Sequence, residues 1–171
     1  MDITKFKKFS QKCSRRLPKE IAGILKGAEG KSDCIIGFIT TDDFYGFYLT
    51  WDYGKSLKEY YAWKNASNPA FLYRPLVEVV ESCPEIDFCN PSDEKWDFAQ
   101  TLLAVLKGSL EQIPEKVFRK HGFEREDVLF FATMGDGDYM QEMTDASLKL
   151  FNASETLERY GLGQQPVPSG R

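Results

Sequence analysis

Histidine is nearly missing from this chain: His121 is the only one among 171 residues. Metal sites that need two imidazoles are thereby excluded, and any serine or cysteine triad would have to take His121 as its base. It lies in the run FRKHGF at a predicted helix end, where an imidazole commonly meets the last carbonyls, so no catalytic role is assigned to it. Long apolar runs are missing too, none approaching the roughly 20 residues that a membrane-spanning helix needs. The opening stretch MDITKFKKFSQKC is charged throughout and has no apolar centre, unlike a secretory leader. A cytoplasmic protein that does not enter a membrane is the expectation. Close cysteine pairs are a third absence: Cys13, Cys34, Cys83 and Cys89 are scattered, which predicts free thiols rather than zinc ligands or disulfides.

What is present is a core-forming composition. Hydrophobic residues make up 42% of the chain, with thirteen Phe, eight Tyr and three Trp, well beyond what a disordered segment carries. At this length one domain can bury about 70% of its unfolded surface. The expectation is a single α+β domain over residues 1–160, followed by a flexible tail at 161–171 that has two prolines and no apolar periodicity. Charge is unevenly spread. Residues 1–31 hold nine basic against three acidic side chains, a balance of +6, whereas residues 32–171 hold thirteen against twenty-three, a balance of −10. An acidic body argues against nucleic-acid binding, which requires a positive surface.

The stretch CIIGFITTDDFYGFYLTW, from Cys34 to Trp51, organises the predicted fold. Two β-rich runs flank the polar turn Asp42-Asp43, and the first is apolar on both faces, as in a strand at the centre of a sheet. A central, mostly antiparallel sheet built on this hairpin and packed by helices follows. Before it, Ile3, Phe6, Phe9, Cys13 and Leu17 share one side of a basic amphipathic helix, and Pro18 is read as opening a second short helix through Leu25. The basic side is read as a solvated outer face. After the hairpin, residues 71–82 read as a helix interrupted by Pro75, best placed at a helix start. The next helix, capped by Ser92 and running to about Gln112, gathers Trp96, Ala99, Leu102, Leu103, Val105, Leu106 and Leu110 on one half of its wheel. Pro114 opens a shorter one, and DVLFFATM, residues 127–134, is a second buried strand.

Gly135-Asp136-Gly137-Asp138 is the most motif-like run. Met140 stands where a dinucleotide loop needs its third Gly or Ala. A calcium loop beginning at Asp136 would need an oxygen ligand and then Gly where Met140 and Gln141 stand. No Lys-Ser or Lys-Thr pair follows, so it is no phosphate loop either. The run fits an element boundary, with Asp138 capping a helix from Tyr139 and Gln141 reaching back. An alternative gathers Asp136 and Asp138 with Asp42 and Asp43 into a carboxylate cluster that holds a divalent metal.

Three patterns, FITTDDFYGFYLTW, then YYAW, then DVLFFATMGDGDYMQEMTDASLKLFN, resemble the bacterial family catalogued as domain of unknown function 4303. The likeness spans most of residues 1–152. Asp136, Ser147, Phe151 and Asn152 stand at its marked positions, with Ala153 where a proline is expected. It implies an α+β domain without an assigned activity, analogous to the small acidic immunity proteins of bacterial toxin systems.

Two functions remain open on the sequence. The preferred one is a non-catalytic protein-interaction module, immunity-like, which covers a basic partner such as a toxin with its acidic face. Tyr53, Tyr60 and Trp63 would serve as anchors and Glu85 and Asp87 as acidic contacts, with no cofactor implied. The alternative is a metal-dependent hydrolase or ligand-binding enzyme using Asp42, Asp43, Asp136 and Asp138.

Overall fold

The computed structural model describes residues 1–163. Strand β1 (Cys34–Thr40) runs through the middle of a four-stranded sheet, and all seven of its residues are buried. β2 (Phe47–Asp52) returns antiparallel to it with Gly37 opposite Thr50, and the short β3 (Asn65–Ser67) extends β2 antiparallel on the outer side. β4 (Val128–Met134) lies parallel on the other flank of β1 with Gly37 opposite Phe131, giving the order β3-β2-β1-β4. Two of the three ladders are antiparallel, as the hairpin implied.

Alternation along the strands divides two cores. Cys34, Ile36 and Phe38 of β1, with Phe130, Ala132 and Met134 of β4, face a large cluster roofed by α1 (Lys7–Gly27), α2 (Ala70–Glu81) and α3 (Asp93–Glu111). Ile35, Ile39, Leu129 and Phe131 face a smaller cluster closed by Tyr48, Leu57, Tyr60, Trp63 and Tyr160. Both faces of β1 are covered, which is why its sequence is apolar without alternation. Gly37 lets the Phe131 ring approach the backbone closely: a Cβ there would sit 2.5 Å from Phe131 Cζ.

Two prolines behave differently from expectation. α1 is one helix running through Pro18, with a 3-10 turn (Ile3–Phe6) leading into it, and α2 runs through Pro75. Each proline removes one ladder donor, but Leu17 and Ile21 beside Pro18, and Leu72, Leu76 and Val79 around Pro75, are buried. Continuing the apolar stripe outweighs a local cost of about 3 kcal/mol.

The free edge of β4 is closed by side chains. α5 (Met140–Phe151) lies along it, and the Ser147 hydroxyl accepts from Ala132 N–H at 2.8 Å and donates to Ala132 C=O at 2.9 Å. Asn152, just past the helix, accepts from Phe130 N–H at 2.9 Å and donates to Phe130 C=O at 2.7 Å. These two residues supply the pairing that a fifth strand would give, and the edge is no template for another chain. α4 (Glu115–Arg119) and α6 (Ser154–Arg159) complete the helices. After α6, Leu162 N–H donates to Leu157 C=O at 2.7 Å and the Leu162 side chain packs on the smaller core. Residues 161–163 therefore continue the fold, and the rest of the predicted tail lies outside the described residues.

Candidate functional site

The carboxyl ends of the parallel pair β1 and β4 open at the same end of the sheet. Gly135 N–H donates to Thr40 C=O at 2.8 Å, one step beyond the strands, so the Gly135–Asp138 loop starts beside the hairpin turn. The turn is held from within: Thr41 N–H donates to Gly46 C=O at 3.0 Å, and the Asp43 carboxylate accepts from the Thr41 hydroxyl at 2.6 Å and Tyr45 N–H at 3.0 Å. Phe44 adopts a left-handed backbone at φ 61°. Its ring is wedged against Phe88 and Phe98, at 5.9 and 4.9 Å, a burial that offsets the strain.

α3 begins at this end. Ser92 Oγ accepts from Lys95 N–H at 3.1 Å, the cap its sequence predicted. Lys95 itself is wholly buried, and its ammonium donates to Asp42 Oδ1 at 2.8 Å. Gly137, with φ +96°, passes so close over the Asp42 carboxyl that any Cβ would overlap it. The Tyr139 hydroxyl donates to Ser92 C=O at 2.9 Å and its ring lies tilted against Trp96 with centroids 5.2 Å apart, which ties the β4 loop to the start of α3.

The two loops thus adjoin, as the metal alternative required, but the two acids of the hairpin turn are already engaged by groups of the protein. Asp42 is engaged by Lys95. The Thr41 hydroxyl holds the Asp43 carboxyl below the ordinary carboxylate value, with Tyr45 N–H and the Lys95 charge adding to it. Burial raises the Tyr48 hydroxyl, and the charges of Tyr60 and Asp136 push the same way. Asp136 and Asp138 are exposed. Among the described residues no three His, Cys, Asp or Glu side chains are grouped to hold a metal ion. The capping role given to Asp138 is corrected. Tyr139 occupies the cap position with no side-chain bond, and Gln141 donates to Asp145 at 2.9 Å. Thr133, at the end of β4, donates to Met140 C=O at 3.0 Å, which ties the start of α5 to the strand without capping its free N–H groups.

The proposed contact residues are spread over the molecule. Tyr53 follows β2 at the opposite end of the sheet, where its hydroxyl donates to Ile24 C=O at 2.9 Å. Tyr60 and Trp63 pack edge-on against Phe131 at 5.6 and 6.1 Å and are half-buried. Glu85 accepts from Lys5 at 3.2 Å. Asp87 accepts from the Asn90 amide at 2.7 Å and Cys89 N–H at 2.9 Å, and these bonds hold it below the ordinary value, with the Lys95 charge a lesser cause. Asp87 and Tyr60 lie near the loop end, Asp87 within reach of the Lys95 charge and Tyr60 against Met134 C=O at 3.5 Å. Two large side chains at that end are exposed: Tyr45 of the hairpin turn, 49%, which was not singled out from the sequence, and Met140 after the loop, 42%, which helical spacing with Met143, Leu150 and Phe151 had placed inward.

Lys95 was missed as well, though its signal was there: Lys95, Phe98, Ala99 and Leu102 follow helical spacing on the buried side of α3. No thiol is arranged as a nucleophile in the core. Burial pushes the Cys34 thiol up to about 12, and that of Cys13 higher still. His121 is half-buried after α4, beside Lys26, Glu29 and Lys120. No helix among the described residues is long and apolar enough to cross a membrane. No family model matches this chain, nor does any curated protein or solved structure.

Proposed function

We propose that this protein is a non-catalytic, cytoplasmic interaction module of the immunity type, which covers a basic partner with the loop end of its sheet. One observation carries the reading. Carboxylates crowd that end, on the hairpin turn (Asp42, Asp43), the start of α3 (Asp93, Glu94) and the β4 loop (Asp136, Asp138), while the cation among them, Lys95, is withdrawn beneath the surface. The end therefore presents a negative field, which steers a cationic surface over about a Debye length of 8–10 Å. Tyr45 and Met140 stand exposed within it as apolar anchors, the kind of residue that dominates affinity once desolvated. Tyr53, Tyr60 and Trp63 are engaged in closing the two cores, so the anchor role moves to Tyr45 and Met140, with Asp87 kept at the rim. The resemblance to the family of domain of unknown function 4303 agrees with an α+β module without assigned chemistry.

The hydrolase alternative has the adjacency of the two loops in its favour and the Lys95 ammonium on Asp42 against it. Thermal melts with magnesium, manganese and calcium separate the two. A resident metal at about 100 times its dissociation constant would add about 2.7 kcal/mol and raise the melting temperature, whereas an interaction module gives no shift. Capture experiments with loop-end variants test the preferred reading directly.

A further inference from the structure

A second surface, on the opposite charge and away from the loop end, is built between α1 and α2. The two helices run antiparallel, with Lys5 reaching Glu85, Lys8 reaching Glu78 at 2.5 Å, and the Arg16 guanidinium over the Phe71 ring at 5.9 Å. Where α2 carries an acid, at Glu78, the lysine of α1 pairs with it. One turn earlier α2 carries Arg74 instead, so a cation of α2 comes to the groove that Lys12, Arg15 and Arg16 of α1 already line. None of these four takes part in a salt bridge among the described residues, and Glu20 is the single acid lining the groove. Like charges gathered this way repel one another unless an anion sits between them.

The groove has the shape for one. It is an open groove of about 550 Å³, its four cations exposed to solvent, with Pro69 and the first α2 residues Ala70 and Phe71 along one side. Two of its guanidinium groups lie beside rings: Arg16 Cζ is 5.9 Å from the centroid of Phe71, and Arg74 Nε donates to the phenol oxygen of Tyr73 at 3.3 Å. Contacts of this kind restrict the fork-shaped donors that suit phosphoryl oxygens, and three arginines with a lysine match adjacent phosphoryl groups better than a single carboxylate. A long polyanion is disfavoured, because beyond residue 31 the chain carries a balance of −10.

We propose that the α1–α2 groove binds a small molecule bearing two or more adjacent phosphoryl groups, held by Arg16 and Arg74 with Lys12 and Arg15 as further cations. This site does not depend on the loop-end reading. Isothermal titration of the full chain with inorganic tripolyphosphate at about 50 mM salt tests it, with a short single-stranded oligonucleotide titrated in parallel. The expected result is one tripolyphosphate per chain with a dissociation constant below about 1 mM, weakened at least about tenfold by Arg74→Glu and strengthened by Glu20→Gln. Lys107→Gln, outside the groove, should leave it unchanged. Should Arg74→Glu fail to melt like wild type, Arg16→Gln makes the same comparison. The proposal is overturned if wild type takes up no tripolyphosphate, if the arginine variants bind it as tightly as wild type, or if the oligonucleotide binds more tightly than tripolyphosphate.

Discussion

The ammonium of Lys95 has no exposed side-chain surface and lies 2.8 Å from a carboxylate oxygen of Asp42, whose own side chain is 27% exposed. One helix start is thereby tied to one hairpin turn by a charge pair of which only the negative half reaches solvent. Breaking such a pair from one side leaves an uncompensated buried charge, whereas removing the buried member leaves an acid that water can still solvate. Asp42→Ala should therefore cost about 3 kcal/mol, and Lys95→Met clearly less. Denaturant melts of the two single variants and the double variant check this, and the double should be more stable than Asp42→Ala alone.

Ser147 and Asn152 each serve both backbone groups of one β4 residue, Ala132 and Phe130 respectively. Ser147→Ala and Asn152→Ala should each lower stability by about 1–3 kcal/mol, since buried peptide groups lose their partners. Hydrogen exchange should accelerate at the amides of Ala132 and Phe130 in the corresponding variant. Light scattering should show the double variant associating, because an unsealed strand edge recruits other strands.

Gly37 faces the Phe131 ring, with Thr50 Cγ2 at 3.2 Å from the position of an added Cβ. Gly37→Ala is expected to cost about 1–3 kcal/mol by overpacking, and Phe131→Leu in the same chain should recover part of that loss. A thermal melt of both variants gives the answer.

Acid should loosen both ends of the molecule. Burial alone would raise the Asp33 carboxyl, but the Ser32 hydroxyl and the Arg159 guanidinium, at 2.9 Å, hold it below its ordinary 3.8. Asp43 is depressed below the same value by Thr41. A carboxyl that is more acidic in the folded chain contributes stability that is complete above the unfolded value and is lost as pH falls through the folded one. Melting temperature should thus hold above about pH 5 and decline below about pH 4. The variant Arg159→Gln should start from a lower plateau and decline less, since Asp33 then titrates nearer its ordinary value.

How much of this was legible beforehand differs by element. β1, β4 and α3 were readable because burial on both strand faces, or on one helix stripe, leaves its mark directly in residue order. Pro18 and Pro75 misled because a local rule about ladder donors was outweighed by the apolar stripe on either side of them, and that weight comes from packing partners distant in sequence. The capping pattern of Asp138 and Gln141 is not realised either: Asp138 stays exposed and Gln141 turns along the helix to Asp145. Asp42, Asp43 and Asp136 were singled out as acids that could meet. That their loops adjoin follows from the parallel pairing of β1 with β4, and that Asp42 turns to Lys95 follows from a lysine placed in an apolar stripe. Tyr45 carries no local signal of exposure, and Met140 misled, since helical spacing with Met143, Leu150 and Phe151 placed it inward whereas it stands exposed at the start of α5.

The central claim is that the loop end of the sheet is the recognition surface. Capture from a bacterial lysate by immobilised wild-type protein, beside a variant carrying Tyr45→Ala, Asp136→Asn and Asp138→Asn with an unchanged melting temperature, tests it most directly. The account predicts a basic protein retained by wild type at low salt, released at high salt and absent from the variant. Retention of the same protein by the variant, or capture of no basic protein by wild type, would contradict it.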